Sequence, residues 1–114
     1  MSEKKLETAI LDYLSYIKEG YFFKVNTMGV YDPTIGKHRK NMNKYAINGI
    51  SDILGCFMGV FMAMEVKLPS NKKRPDAQID FINMINKTGG KAGFVTSIVE
   101  VDNLLKEVIK DNGN

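Results

Sequence analysis

The stretch Gly49–Leu68, GISDILGCFMGVFMAMEVKL, decides the fold because it contains two strand-like runs around one tight turn. The runs cover about 52–57 and 60–68 and meet at Met58-Gly59. In such a hairpin the start of the first strand lies beside the end of the second strand. Asp52 and Glu65, which are separated by twelve residues, should therefore approach each other.

The end of the second run carries an acid and a base, Glu65 and Lys67. Side chains alternate along a strand, so both should project from one face. Alone, this pattern is most often an ion pair at a strand end. With Asp52 nearby, however, two carboxylates would repel each other unless a cation neutralised them, and oxygen ligands favour Mg²⁺ or Mn²⁺. Two carboxylates and a lysine at one edge fit metal-assisted hydrolysis of a phosphodiester.

The rest of the chain supplies further elements around this hairpin. Apolar periodicity, β-branched runs and the positions of Gly and Pro predict these elements. Before the hairpin we expect a helix over 3–19, a strand over 21–27 and a flexible basic loop over 28–48. After it we expect a helix from Pro75 to Gly89-Gly90, a strand over 92–99 and a helix over 101–111 with Asp102 as N-cap. The order α-β-β-β-α-β-α predicts a single α/β domain over 1–114, with a four-stranded mixed sheet flanked by helices. The crossover within 60–98 predicts a parallel strand pair.

Positive charge is concentrated in one part of the chain. Eight basic and two acidic residues lie between Lys37 and Arg74, whereas the whole chain carries a net charge of +3. This asymmetry favours a polyanionic partner, and the candidate phosphate contacts are Lys37, His38, Arg39, Lys40, Lys44, Lys72, Lys73 and Arg74. A solvated loop remains the alternative interpretation. His38, the only histidine, is expected at a phosphate or in solvent and not at a zinc ion.

Composition excludes several other classes of protein. The longest apolar run is far shorter than the roughly 18 residues that a membrane span needs, so we expect no membrane association. The N-terminus begins an amphipathic pattern and does not read as a signal peptide. Cys56 is the only cysteine, which excludes a disulfide framework and favours a reducing, cytoplasmic location.

The motifs together resemble the virus-type replication-repair nuclease domain, VRR-NUC, of the PD-(D/E)xK superfamily, which has a restriction-endonuclease-like core. The resemblance runs through SDILG at 51–55, EVK at 65–67 and AQIDF at 77–81, in an order that spans the chain. It matches Asp52, Glu65, Lys67 and Gln78 to the motif residues of the family, and Glu7 to the glutamate of its early helix. Ser51 departs from the pattern, because the family has proline before the aspartate.

The resemblance also implies roles for these residues. Asp52, Glu65 and the Val66 carbonyl would bind Mg²⁺ or Mn²⁺, with Glu7 reaching the ion through a water molecule. Lys67 would orient and activate the attacking water, and Gln78 would position that water or Lys67. From its own stretch alone, Glu7 reads as an ordinary surface glutamate.

The implied activity is a divalent-metal-dependent endodeoxyribonuclease that acts on Holliday junctions, flaps or other branched DNA. The resemblance implies a homodimer that works in replication, recombination or repair inside a bacterial or phage-infected cell. Three alternatives stay open at this point: a non-catalytic junction-binding module of the same fold, a nuclease that acts on RNA, and a protein-interaction domain with an incidental ion pair.

Overall fold

The computed structural model describes residues 1–25, 30–32, 37–39 and 44–112, with the backbone alone for the two short middle segments. The helices and strands, in chain order, are α1 (Glu3–Leu14), β1 (Gly20–Lys24), β2 (Val30–Asp32), β3 (Lys37–Arg39), β4 (Ile53–Phe57), β5 (Val60–Val66), α2 (Asp76–Lys87), β6 (Lys91–Val95) and α3 (Ile98–Asn112). Within these described residues, no helix is both long and apolar enough to cross a bilayer.

The main sheet has four strands in the order β1-β4-β5-β6. β4 pairs antiparallel with β1 and with β5, and β5 pairs parallel with β6. Met58 and Gly59 form the β4–β5 turn with φ angles of 51° and 80°, which the tightest hairpins require at both central positions. The predicted hairpin, mixed sheet and parallel crossover are all confirmed.

The two faces of the sheet pack against different helices. On one face, α1 and α3 cover the larger core, where Met62, Met64 and Val66 of β5 are fully buried. On the other face, α2 packs through Ile82 against Ala63 and its neighbours. Because β5 alternates between these two cores, it lies at the centre of the domain, and the face of Ala63 is the face on which Glu65 follows.

The first helix is shorter than the predicted 3–19. It ends at Leu14, and the chain continues through tighter turns in which the Tyr16 and Ile17 amides donate to carbonyls three residues earlier. Ile17 still packs against the core, so the apolar periodicity outlasts the helix. The apolar periodicity therefore predicted correctly that Ile17 packs against the core, but it predicted wrongly how far the helix extends.

The boundary between the last strand and the last helix was also predicted wrongly. β6 ends at Val95 and α3 begins at Ile98, so Ile98 and Val99 are helical although they belong to a strand-like run. Ser97 Oγ accepts from the Glu100 amide at 3.2 Å, and Glu100 accepts from the Thr96 amide at 2.6 Å. These two bonds cap the start of the helix. Asp102, the predicted N-cap, lies inside α3 and accepts from the Tyr13 hydroxyl at 2.8 Å.

The segment predicted as a loop over 28–48 contains a further pair of strands. β2 and β3 form an antiparallel two-stranded ribbon in which Tyr31 lies opposite His38. The remaining residues of that loop up to 43, including Lys40, lie outside the described residues.

Candidate active site

Asp52 and Glu65 meet where β4 begins and β5 ends. Asp52 directly precedes β4, and its Oδ2 accepts a hydrogen bond from the Val66 amide at 2.9 Å. Its carbonyl accepts from the Val25 amide at 2.8 Å. The regular β4–β5 pairing reaches its end at Ile53 and Met64, so the Asp52 side chain continues the ladder where the backbone stops. Both the backbone and the carboxylate of Asp52 are thereby held in place.

Glu65 is an acid in an apolar position, with only 4% of its surface exposed. Burial, and then the hydrogen bonding and negative charge of Asp52, raise the pKa of Glu65 to about 9, while the positive charge of Lys67 opposes the shift. Glu65 therefore holds a proton at neutral pH when no cation replaces it. A buried acid pair of this kind is typical of functional sites.

Lys67 lies one residue beyond β5 and is 7% exposed. Its amide donates to the Val95 carbonyl at 3.0 Å, so the parallel pairing with β6 continues past the formal end of β5. This pairing keeps the alternation intact from Ala63 through Glu65 to Lys67. The side-by-side arrangement of the acid and the base that alternation predicts is thus built on regular backbone.

Glu7 lies on the second turn of α1 and points inward. Its Oε1 is buried without a hydrogen bond, and the Lys24 ammonium at the end of β1 approaches this atom to 3.5 Å as a long ion pair. Glu3, one turn earlier, also contributes to the raised pKa of Glu65 through its charge. The N-terminal helix therefore directs acidic residues toward the sheet end that holds Glu65.

Gln78 lies in the first turn of α2, where its amide donates to the Pro75 carbonyl at 3.0 Å. Its Oε1 is buried and has no hydrogen-bond partner. The start of α2 packs against the chain just before Asp52 at Gly49, which has a φ of 78°. A Cβ atom there would lie 2.4 Å from the Ala77 carbonyl, so only glycine permits this contact.

A solved structure described as a VRR_NUC domain protein is similar to this chain, with 16% sequence identity and a TM-score of 0.67. The similarity covers 96% of this chain and 89% of that chain. This chain has the VRR-NUC fold. Scanning the sequence against protein-family models and searching the curated proteins both gave no match. The structural likeness at this identity concerns the fold, and it confirms the architecture that the sequence motifs implied.

Within the VRR-NUC fold, Ser51, which departs from the motif of the family, directly precedes Asp52. It is fully buried, and its Oγ has no hydrogen-bond partner. Ser51 Oγ, Glu7 Oε1 and Gln78 Oε1 are the three buried side-chain oxygens without such a partner in the described part of the chain. The signal was a polar residue at the position where the family has proline, but its burial depends on packing that the sequence does not display.

The predicted phosphate contacts of this VRR-NUC fold fall into three groups. Lys37, His38 and Arg39 form β3, for which only the backbone is described. Lys44, Lys72 and Lys73 are exposed, and the Lys44 ammonium lies 5.0 Å from the centre of the Tyr45 ring. Arg74 is partly buried, with its guanidinium 4.7 Å from the centre of the Phe94 ring.

The donor atoms of this site suit a hard divalent cation better than zinc. Among residues 1–25 and 44–112, no three His, Cys, Asp or Glu side chains are grouped as a complete metal site. Two carboxylates, backbone carbonyls and water molecules are a typical set for Mg²⁺ or Mn²⁺, which retain several waters. Asp52 and Glu65 are the two carboxylates that the fold brings together here.

Proposed function

We propose that this protein is a divalent-metal-dependent endodeoxyribonuclease that hydrolyses phosphodiester bonds in branched DNA. The observation that carries the proposal is the pairing of buried Glu65 with Asp52 at the end of β5, with Lys67 beside them. Burying Glu65 and Lys67 beside a partly buried Asp52 is costly for stability, and a catalytic role explains why the chain retains them. The VRR-NUC fold supports the same interpretation.

The proposed roles follow from the positions of the side chains. Asp52, Glu65 and the Val66 carbonyl would hold Mg²⁺ or Mn²⁺, with Glu7 hydrogen-bonded to its water shell. When bound, the ion would acidify water and offset the charge of the phosphate. Lys67 would hold the attacking water and stabilise negative charge as the phosphate reacts. Gln78 Oε1 is an unused acceptor that would orient that water or the lysine.

Cleavage assays with labelled DNA test the proposal directly. Four-way junctions, flaps, linear duplexes, single strands and a matched RNA junction would be incubated with Mg²⁺, Mn²⁺ or EDTA. We expect metal-dependent cutting that favours branched DNA. Cutting of RNA alone would change the substrate class, and binding to junctions without any cutting would identify a non-catalytic module. Failure to bind nucleic acid at low salt would exclude the DNA nuclease, the RNA nuclease and the junction-binding module alike.

Two substitutions separate catalysis from binding. Lys67→Ala should lower the cleavage rate by about 10²-fold or more, as expected when a group that stabilises transition-state charge is removed. DNA affinity measured with Ca²⁺ should change little. Lys87→Ala, an exposed lysine on α2, is the matched control and should retain both properties. Loss of DNA binding in Lys67→Ala alone would assign this residue to binding instead.

We further propose that the protein forms a homodimer through the apolar sheet face that α2 leaves open. Tyr21, Cys56 and Phe61 are register partners across β1, β4 and β5, and all three are exposed. Tyr21 and Phe61 lie on either side of Cys56 and expose 75% and 41% of their surface, so the row forms an exposed apolar patch. A second copy would cover this row and present two cleavage sites to a branched substrate.

Light scattering coupled to size-exclusion chromatography measures this dimer. We expect the mass of two chains, and Phe61→Glu should yield monomers because it places a charge within the row. Met84→Glu, which alters an exposed apolar residue on α2, should leave the dimer intact. A monomeric wild-type protein at micromolar concentration would exclude the dimer. The reducing cellular location expected from the single cysteine stays a prediction.

A further inference from the structure

We propose that Arg74 is a positioning residue that fixes the segment between Lys67 and Gln78, and that it is not a ligand for DNA phosphates. This segment joins β5, with the Glu65-Val66-Lys67 motif at its end, to α2, which carries Gln78. Any change in its shape alters the distance between the two side chains. The role in catalysis rests on the proposed nuclease function, whereas the ordering of the segment does not.

The segment 68–74 is closed by hydrogen bonds that converge on Asn71. The Asn71 amide donates to the Leu68 carbonyl at 2.9 Å, and Asn71 Oδ1 accepts from the Lys73 amide at 3.0 Å. Arg74 Nη1 then donates to the Asn71 carbonyl at 2.8 Å and to the Lys73 carbonyl at 2.9 Å. One planar guanidinium thereby ties together two carbonyls of its own segment.

The guanidinium also anchors this segment to the sheet. It stacks 4.7 Å from the centre of the Phe94 ring, and Phe94 packs on the cluster formed by Ala63, Ile82 and Ala92 under α2. In the parallel pairing of β5 with β6, Phe94 is the register partner of Glu65. The anchor of the segment therefore lies on the strand position beside the buried acid.

These contacts commit the Nη1 group and one face of the Arg74 guanidinium to the protein itself. Nη1 is committed to two carbonyls and the ring of Phe94 lies against the guanidinium. Lys72 and Lys73, by contrast, are exposed at the tip of the same segment. The segment thus separates two tasks, because Arg74 holds its shape and the lysines supply charge to the surface. Lysine cannot replace Arg74, since an ammonium has neither the planar fork nor the stacking face.

Amide hydrogen exchange measured by NMR tests the ordering of the segment without any nuclease assay. In Arg74→Ala and in Arg74→Lys, the Asn71 and Lys73 amides should exchange about tenfold faster or more, the factor that the loss of one hydrogen bond to a charged group gives. In Lys72→Ala and Lys73→Ala the protection of these amides should persist. Unchanged protection in both Arg74 variants would overturn the proposal.

Single-turnover cleavage and DNA binding test the catalytic consequence. Both Arg74 variants should cut about tenfold more slowly, with DNA dissociation constants in Ca²⁺ that stay within twofold of wild type. Phe94→Leu should have the same effect, and the double variant with Arg74→Ala should be no slower than the worse single variant. Lys72→Ala and Lys73→Ala should instead weaken binding and reduce its salt dependence.

The possible failures are distinguishable. Restoration of the rate by Arg74→Lys, or a loss of DNA affinity and of about one unit of salt slope in Arg74→Ala, would make Arg74 a phosphate ligand and overturn the proposal. If the wild-type protein cuts no DNA, the proposed nuclease function fails. The exchange measurements still decide, in that case, whether Arg74 orders the segment.

Discussion

At the scale of single residues, the candidate site contains charged and polar side chains whose burial destabilises the fold. Glu65 and Lys67 are buried at the end of the central strand, and Ser51, Glu7 and Gln78 each bury an oxygen without a hydrogen-bond partner. Each such group costs free energy of folding, typically about 1–3 kcal/mol for an unsatisfied polar atom. The proposed nuclease function accounts for retaining these groups despite their cost.

Replacing Glu65 by glutamine should stabilise the protein, and increasingly so at higher pH. The folded protein holds the Glu65 proton up to about pH 9, whereas the unfolded chain releases it near the ordinary value of 4.5. Stability of the wild type should therefore fall as the pH rises through this interval. Glu65→Gln removes the titration and should gain about 4 kcal/mol at pH 8 relative to pH 5. Urea unfolding in EDTA at both pH values measures this difference.

The matched control for Glu65→Gln is Glu107→Gln, which alters an exposed glutamate on α3 and should show no such pH dependence. Equal pH profiles for wild type and Glu65→Gln would mean that Glu65 is ionised in the folded protein. A nearby positive charge would then have to stabilise the two ionised carboxylates of Asp52 and Glu65.

Ser51→Ala and Ser97→Ala should change stability in opposite directions. Ser51 Oγ is buried without a partner, so its removal should stabilise the fold by about 1 kcal/mol. Ser97 Oγ caps α3 at the Glu100 amide, so its removal should cost about 1 kcal/mol. Chemical denaturation compares the two variants. A loss of stability in Ser51→Ala would indicate that the hydroxyl binds an ordered water molecule.

At the scale of helices and strands, the sequence predicted the hairpin β4–β5 well because turn and strands agree. Gly59 suits the tight turn, and the nearly continuous apolar run over 60–66 matches a strand whose residues from Met62 onward are buried on both faces. The start of α3 was missed because Ile98 and Val99 favour a strand locally, while the Ser97 and Glu100 cap favours a helix. The burial of Lys67 and Ser51 was not predictable, since it depends on packing between distant segments.

Gly49→Ala should disturb the junction between the Asp52 segment and α2. The new Cβ would meet the Ala77 carbonyl at 2.4 Å, and φ is 78°. Strain and displacement together should cost about 2–3 kcal/mol, measured by thermal unfolding. Gly59→Ala shares the positive φ of 80° but meets no atom within 4 Å, so it should cost only about 1 kcal/mol. An equal loss of stability in Gly49→Ala and Gly59→Ala would mean that the close contact with α2 does not require glycine at position 49.

At the scale of the whole molecule, metal binding and folding should be linked. The proposed divalent ion would replace the Glu65 proton and bind the folded chain alone, so 1 mM Mn²⁺ should raise the melting temperature by about 5 °C or more when it saturates the site. The increase should be larger at pH 8 than at pH 6, because protons compete for Glu65 at the lower pH. Differential scanning fluorimetry with and without EDTA measures the shift.

The control for metal linkage is Glu65→Gln, in which the stabilisation by Mn²⁺ should be much smaller. Lys67→Ala should keep the stabilisation, because the lysine is not a proposed ligand. A Mn²⁺ effect that persists fully in Glu65→Gln would place the ion elsewhere on the protein.

The parallel pairing of β5 with β6 has a consequence for biosynthesis. The acid pair lies in a hairpin that leaves the ribosome early, but Glu65 is enclosed only when Phe94 and the rest of β6 pair beside it. That pairing spans the whole of α2, so it forms later than the local hairpin. A nascent chain should therefore display the two carboxylates in water, as ordinary acids, until β6 has emerged. Translation itself would then set the time at which the proposed catalytic site assembles.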